Sequence, residues 1–323
     1  MRQGKLTVII PLYCEGEHFR ESFTVIREVV DGLPASQVAG WECILVDDGS
    51  TDGTWEVLNN LAAQYPEQVR ALRFSRNFGK EAAIRAGLEH ATGDLAIVMD
   101  GDLQHPPELM ADMVNLWAAG GIDVVNTVKA ERGNESLLYR LGVYGFNFLM
   151  TRAAGRHLVG DSDYKLLDRK VIDAFLELRE RRAFFRGLVN WMGFRGANLP
   201  LHIRERAAGK TKFNVKNLVR LGLTALTSFS TIALHFVTIL GFLFAGASFL
   251  LGVYTFGAWL LGGAVEGFTT MILLQLIVGS VIMVALGIIG EYLSIIYTEV
   301  KGRPPYFLAE SIHAEKRTTH HDE

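Results

Sequence analysis

An α/β domain with a mainly parallel sheet, followed by two membrane-crossing helices, is the fold class this sequence predicts. Three observations carry that expectation. Ahead of residue 213, short apolar runs alternate with helical stretches. Polar and charged residues gather directly after those runs. Two long stretches without formal charge then follow, Thr231–Gly252 with 22 residues and Phe268–Gly290 with 23.

The first apolar run, Leu6–Ile10, reads as a buried strand, and a helix is expected around Glu21–Val30. Glu42–Val46 is the second strand. Asp52 is placed to cap a helix from Thr54 to Ala63. Val69–Phe74 is the third strand and Lys80–His90 the next helix. Leu95–Met99, apolar throughout, is the fourth strand. Pro106 and Pro107 open the following helix, where proline's missing N–H costs nothing. Ile122–Thr127 is the fifth strand. Repeated strand–helix units with near-continuous apolar strands imply a sheet covered on both faces. Ligands of such sheets bind at the carboxyl ends of the strands.

Each long uncharged stretch is long enough, as a helix, to cross a bilayer; 22 residues rise roughly 33 Å at 1.5 Å per residue. Arg204, Arg206, Lys210, Lys212, Lys216 and Arg220 precede the first, and Lys301, Arg303, Lys316 and Arg317 follow the second. The loop between them, Val253–Gly267, carries only Glu266 as a formal charge. The positive-inside rule therefore puts both termini and the N-terminal domain in the cytoplasm of a multi-pass protein of the cytoplasmic (inner) membrane. Four segments result: a catalytic domain over 1–212, an amphipathic juxtamembrane helix over 213–230, a two-helix hairpin over 231–297 and a cytoplasmic tail over 298–323. The juxtamembrane helix and its charges suit a membrane surface with anionic lipid headgroups.

Composition excludes some classes. Net charge is −3, which argues against a nucleic-acid-binding surface. Cys14 and Cys43 are the only cysteines and form no C-x-x-C spacing, so neither a disulfide framework nor a zinc site is expected. Neither glycine-rich element has the Walker or G-x-G-x-x-G pattern, which weakens ATPase and dinucleotide readings. His105, His157 and His235 show no ligand spacing, and none is assigned a catalytic role.

The chemistry sits after the strands. Pro11, Tyr13 and Glu15 follow the first, Asp47 and Asp48 the second, Arg76, Asn77 and Lys80 the third, and Asp100, Asp102 and Gln104 the fourth. Asp100-Gly101-Asp102 is the sharpest feature. A bare D-x-D triplet is usually a solvated turn, but one placed just after a buried strand suits a hard divalent cation, Mg²⁺ or Mn²⁺, bridging to phosphates. Gln104 offers a further oxygen, and Gly101 would let a diphosphate approach the backbone. Asp48 can accept from a base or ribose, while Asp52 is mainly structural. Arg76 and Lys80 supply cations for phosphate. Asp163 lies beyond these strands as a base or acceptor-orienting group, or else as a solvated carboxylate.

These strings resemble family 2 glycosyltransferases of the GT-A fold, a Rossmann-like architecture. The closer likeness is to polyprenyl-phosphate glycosyltransferases such as dolichol-phosphate mannose synthases and bactoprenol glucosyltransferases. Val8–Pro11, Val46–Thr54, Ser75–Glu81, Asp100–Glu108, Asp163–Arg169, Trp191–Phe194 and Arg206–Phe213 match in order. The resemblance implies a nucleotide pocket of Pro11, Tyr13, Glu15, Asp48 and Lys80, to which the phosphate chemistry read above adds Arg76 and Asp100. It implies a metal and sugar region of Asp100, Asp102 and Gln104, with Asp102, Gln104 and Asp163 as catalytic candidates. It further makes Arg206 and Lys212 ligands of the acceptor phosphate. Three positions depart from the family pattern: Cys14 replaces Asn, Asp163-Tyr164-Lys165-Leu166 replaces Asp-Phe-Arg-Leu, and Thr211-Lys212-Phe213 replaces Ser-Lys-Tyr.

The resemblance implies an inverting, metal-dependent transfer of a hexose from a nucleotide sugar, UDP-glucose foremost, to a polyprenyl phosphate such as undecaprenyl phosphate. The product would serve cell-wall or lipopolysaccharide modification. GDP-mannose or a modified UDP-sugar are alternative donors. A processive polysaccharide synthase is the second enzyme reading, weakened by the missing Gln-x-x-Arg-Trp string and the small number of spans. A catalytically silent membrane scaffold is the non-enzyme reading, against which the Asp100–Gln104 cluster stands. Small residues in the two spans, such as Gly241 and Gly279, permit helix packing in a homo-oligomer.

Overall fold

The computed structural model describes residues 2–129, 161–178, 180, 184–201, 232–261 and 267–312. They fall into two units, one holding the residues up to 201 together with 303–312, the other 232–302.

In the first unit an eight-stranded sheet runs in the order β7-β5-β6-β4-β1-β2-β3-β8. Its centre is four parallel strands: β1 (Gly4–Leu12), β2 (Val38–Asp47), β3 (Val69–Phe74) and β4 (Leu95–Val98). These are the expected strands one to four, and their side chains are buried almost without interruption. Three helices connect them: α1 (His18–Asp31), α2 (Thr54–Gln64) and α3 (Lys80–His90). In α1 the buried residues Phe19, Phe23, Ile26 and Val30 recur at helical spacing, forming the stripe that meets the sheet. Helix α4 (Leu109–Ala118) begins two residues after Pro107, with Met110 N–H bonded to the Pro107 carbonyl. The prolines thus form the turn into the helix.

Beyond β4 the sheet is mixed. β6 (Asp161–Asp168) pairs antiparallel with β4 and with β5 (Val124–Lys129), and β7 (Gly196–Leu201) pairs parallel with β5. Helices α5 (Arg169–Glu177) and α6 (Phe185–Trp191) lie between β6 and β7 in sequence. The Asp168 side chain accepts from Lys170 N–H at the start of α5, a helix-capping contact. At the opposite edge, β8 (Leu308–Ile312) pairs antiparallel with β3. The segment expected as a tail therefore contributes a strand to the sheet.

The second unit consists of α7 (Ile232–Leu260) and α8 (Phe268–Val300). Many of their large apolar side chains are exposed, Phe242, Leu260 and Met283 among them. Among the described residues one stretch, Ile277–Val300, is long and apolar enough to cross a membrane. The apolar run in α7, Gly241–Gly257, is shorter, so a second span rests on the sequence expectation. The expected juxtamembrane helix, together with His157, Arg206 and Lys212, lies outside the described residues.

Candidate active site

Four turns at the carboxyl ends of β1 to β4 build the crevice, and backbone hydrogen bonds to side chains lock the first three to one another. The turn after β1 holds Tyr13, which is exposed, and Cys14, whose backbone is left-handed at φ 55°. Cys14 N–H donates to Ser50 Oγ at 2.9 Å, and Glu15 N–H to Thr54 Oγ1 at 3.1 Å. Asp52 accepts from the Thr54 N–H and hydroxyl at 3.0 and 2.5 Å and so braces the turn, but the N-cap of α2 is Gly53, with no side-chain cap bond, which corrects the capping expected of Asp52.

Asp48 is buried and faces the loop after β3. Its carboxylate accepts from Phe78 N–H at 2.7 Å and from Gly79 N–H at 2.9 Å. The contact binds the two turns into one wall. Burial and the neighbouring Asp47 raise the Asp48 pKa, and the two backbone donors oppose that rise. Gly49, at φ +68°, lets the walls close: a Cβ there would lie 2.3 Å from the Arg76 carbonyl carbon.

After β4, Asp100 projects into the crevice and Asp102 folds back, accepting from Gln104 N–H at 3.1 Å. Leu103 between them is left-handed, at φ 53°. The expected role of Gly101 is corrected here. A Cβ on it would lie 2.6 Å from Leu12 Cδ2 and 3.1 Å from the Phe19 ring, so its missing side chain makes room for the core.

Lys80, the first residue of α3, connects the parts. Its ammonium contacts Asp100 Oδ1 and sits 2.9 Å from Asp163 Oδ2 on β6. Burial disfavours its charge, but the two carboxylates outweigh that and raise its pKa. Asp163 is also held by Arg186 of α6, Nε to Oδ1 at 2.5 Å and Nη2 to Oδ2 at 2.9 Å. Burial works against the Asp163 charge, yet Arg186 and Lys80 keep its carboxyl well below the usual carboxylate range. A carboxylate so neutralised is a poor proton acceptor at neutral pH.

Several residues of this network escaped the sequence reading. Arg186 is one. Glu81 is another: it accepts from Phe185 N–H at 2.9 Å, and burial raises its pKa to about 7. His105 stacks on Tyr164 and pairs through Nε2 with Ser162 Oγ at 3.1 Å, tying the Asp100 turn to β6. Its buried Nδ1 has no hydrogen-bond partner and lies 3.8 Å from Asp100 Oδ2. Lys165, the departure from the family Arg, is fully buried between Asp161 (2.5 Å) and Asn126 (2.6 Å). It braces β6 against β5 and cannot reach a phosphate without leaving those partners.

The donor set around Asp100 fits a hard cation that takes part of its coordination from a substrate. No three His, Cys, Asp or Glu side chains gather as a complete cage among the described residues. Mg²⁺ commonly takes only one or two carboxylates from the protein and completes its octahedron with water and phosphate oxygens. His105 Nδ1, buried without a hydrogen-bond partner and 3.8 Å from Asp100 Oδ2, is a further polar atom beside that carboxylate.

Comparison with known proteins agrees with this architecture. Residues 7–175 match the profile described as "Glycosyl transferase family 2". An uncharacterized glycosyltransferase, YkcC of Bacillus subtilis, is 32% identical over all of this chain and 98% of its own length. The SfII prophage-derived bactoprenol glucosyl transferase of Shigella flexneri is 34% identical over 95% of this chain and 98% of its own. An undecaprenyl-phosphate 4-deoxy-4-formamido-L-arabinose transferase of Pectobacterium carotovorum is 34% identical over 96% and 94%. With a crevice of the expected residues on a GT-A-like sheet and relatives matched from end to end, the chain belongs to glycosyl transferase family 2, related to the polyprenyl-phosphate sugar transferases.

Proposed function

We propose that this protein is a membrane-anchored transferase that moves a sugar from a nucleoside-diphosphate donor, UDP-glucose foremost, to a polyprenyl phosphate with inversion. The observation that carries the reading is the meeting of Lys80, Asp100, Asp163 and Arg186 at the carboxyl edge of the sheet. Full-length likeness to a bactoprenol glucosyl transferase supports the acceptor class and the sugar.

In this mechanism an acceptor phosphate oxygen attacks the anomeric carbon as the bond from that carbon to the nucleoside diphosphate breaks on the opposite face. A phosphate is already anionic and needs no strong base, consistent with the low proton affinity of Asp163. Lys80 stabilises the negative charge growing on the leaving diphosphate. Asp163 and Arg186 hold Lys80 in place. Asp100, Asp102 and Gln104 would hold a divalent cation, which when bound supplies further charge stabilisation to the diphosphate. Pro11, Tyr13, Glu15, Asp48 and Arg76 form the nucleotide wall. Arg206 and Lys212 take the acceptor phosphate.

The route of the chain supports a hairpin anchor. The chain leaves the sheet after Leu201 and rejoins it at Leu308. Any bilayer it meets in between is therefore crossed an even number of times. Ile277–Val300 accounts for one crossing, and α7 is the helix available for the other. Both ends would then lie on the catalytic side.

A donor panel tests the reading: UDP-glucose, GDP-mannose and an aminoarabinose-type UDP-sugar, each with purified enzyme, polyprenyl phosphate and Mg²⁺, with product mass measured. A single glucosyl-phosphoprenol product is expected. No lipid-linked product from any donor, or a polymer, would end it. Asp102→Asn is expected to lower turnover sharply at saturating metal, and near-wild-type turnover would remove Asp102 from the site.

A further inference from the structure

The loop that carries Arg76 and Lys80 has two anchors, and they come from opposite ends of the chain. On one side Asp48 accepts from the Phe78 and Gly79 N–H groups. On the other, Ser75 N–H donates to the carbonyl of Phe307 at 3.0 Å. Phe307 immediately precedes β8, the strand that returns after α8. β8 is fastened along β3 by its ladder and by the 3.0 Å ion pair between Arg73 and Glu310. The register shifts between Arg73 and Phe74, where β3 gives way to the loop.

Aromatic rings carry this contact into the loop. Tyr306 stacks on Phe74 at 4.7 Å and 15°, and its hydroxyl bonds to Glu89 of α3. Phe78 stands edge-on to Phe74 at 5.8 Å and packs against Phe307 at 6.2 Å. The Arg76 guanidinium lies over the Phe78 ring at 4.3 Å. A line of contact thus runs from Phe307 through Phe78 to Arg76, with Lys80 two residues beyond Phe78. Phe307 is 55% exposed, so it buries too little area to matter much to the core. What it touches is the loop.

We propose that the returning segment Tyr306–Ile312 is part of the donor site, with Phe307 a positioning residue that holds the Arg76–Lys80 loop in the shape that takes the nucleoside diphosphate. The inference rests on the nucleotide-sugar reading above and assigns to that pocket residues that follow the membrane-type helices in sequence. Without Phe307, Phe78 keeps its bond to Asp48 but loses the ring behind it, and Arg76 loses its fixed platform. Donor affinity falls while acceptor binding, which uses other residues, does not.

The test uses the full-length enzyme in lipid nanodiscs with Mg²⁺. Binding of UDP and of GDP is measured by calorimetry, together with KM for donor and for polyprenyl phosphate. An aromatic pair contributes about 0.5–1.5 kcal/mol beyond area, so Phe307→Ala is expected to weaken nucleotide binding about 2- to 13-fold. Donor KM should rise in step, acceptor KM and melting temperature should stay near wild type, and Phe307→Tyr should restore binding. If Phe307→Ala unfolds the protein, Phe307→Leu, which keeps the volume and loses the ring, is read by the same measures. Unchanged nucleotide affinity in the folded variant, or an equal rise in both KM values, would overturn the proposal. Wild-type enzyme that binds neither nucleotide would instead overturn the donor reading on which it rests.

Discussion

Arg186 holds Asp163 through both carboxylate oxygens, at 2.5 and 2.9 Å, while Lys80 donates to one of them, Oδ2, at 2.9 Å. Two cations, one on α3 and one on α6, thereby share one anion on β6. The arrangement makes Asp163 a counter-ion. Its carboxyl is depressed below its ordinary 3.8, so the stability it contributes is complete above that value and is lost only in strong acid. Asp163→Asn is expected to lower turnover about 100-fold, the scale of losing one organised electrostatic group at a reacting centre. The shape of the pH–rate profile between pH 5.5 and 9 should not change, because no titration of Asp163 falls there. Loss of an acidic limb in the variant would mean that Asp163 accepts a proton after all.

Glu81 supplies the pH dependence that Asp163 does not. It adjoins Lys80 and accepts from Phe185 N–H, which adjoins Arg186, so it ties the two cations' helices together. Burial raises its pKa from 4.5 to about 7, with Asp163 adding to the rise and the Phe185 N–H, Arg186 and Lys80 opposing it. A carboxyl whose folded pKa exceeds its unfolded value destabilises as it ionises. Stability should fall as pH rises from 4.5 to 7 and level off above. Glu81→Gln keeps the acceptor for Phe185 and removes the charge. Its advantage over wild type should grow between pH 5 and pH 8 by on the order of 2 kcal/mol after solvent screening. Thermal melts at both pH values check this, and parallel melting curves for the two proteins would refute it.

What the sequence shows depends on how local the cause is. Lys80–His90 is legible to the residue because a glycine precedes it and its apolar spacing is helical. The four parallel strands are legible because burial on both faces leaves nearly unbroken apolar runs. β8 is not. Leu308–Ile312 has no distinctive period, and its reason to be a strand is the open edge of β3, more than 230 residues earlier by the Arg73–Glu310 pair (|i−j| of 237). Arg186 stands among Arg179, Arg181 and Arg182, and nothing in the string singles it out. His105 had no second histidine at ligand spacing. Its partner is Ser162, 57 residues on, and only the fold joins them. Gly101 reads in the sequence as room for a diphosphate, and only the fold shows that Leu12 and Phe19 fill the space beside it.

Glu42 anchors the other end of the central strands. Its buried carboxylate accepts from Thr7 Oγ1 (2.7 Å), Thr92 N–H (2.6 Å), Thr92 Oγ1 (2.8 Å) and Lys5 Nζ (2.9 Å). Burial pushes its pKa up, but these four bonds prevail and bring it to about 2. Their stabilisation is present above pH 4.5 and is lost as pH falls toward 2. Glu42→Ala strands several of these donors, at a cost of about 3 kcal/mol. Denaturant unfolding at pH 7 should show that loss, with a smaller gap between variant and wild type at pH 3. An equal gap at both pH values would mean that the carboxylate's charge contributes little.

Gly49 separates folding from donor binding most directly. At φ +68° any side chain carries a backbone penalty of about 1 kcal/mol. Space matters more, since an added Cβ would meet the Arg76 carbonyl carbon at 2.3 Å and both Arg76 Cα and Asn77 N at 2.7 Å. These are backbone atoms, and no rotamer change relieves the overlap. The Arg76–Lys80 loop must move away from the β2 turn, which lengthens the Asp48 bonds to Phe78 and Gly79. Gly49→Ala is therefore expected to leave the strands of the sheet intact, with a far-ultraviolet spectrum like that of wild type. Donor KM should rise at least 10-fold, the equivalent of about 1.4 kcal/mol. Nucleotide calorimetry beside the spectrum decides the matter: wild-type affinity in Gly49→Ala would show that the loop can shift without disturbing the pocket, and that Asp48 does not set its shape.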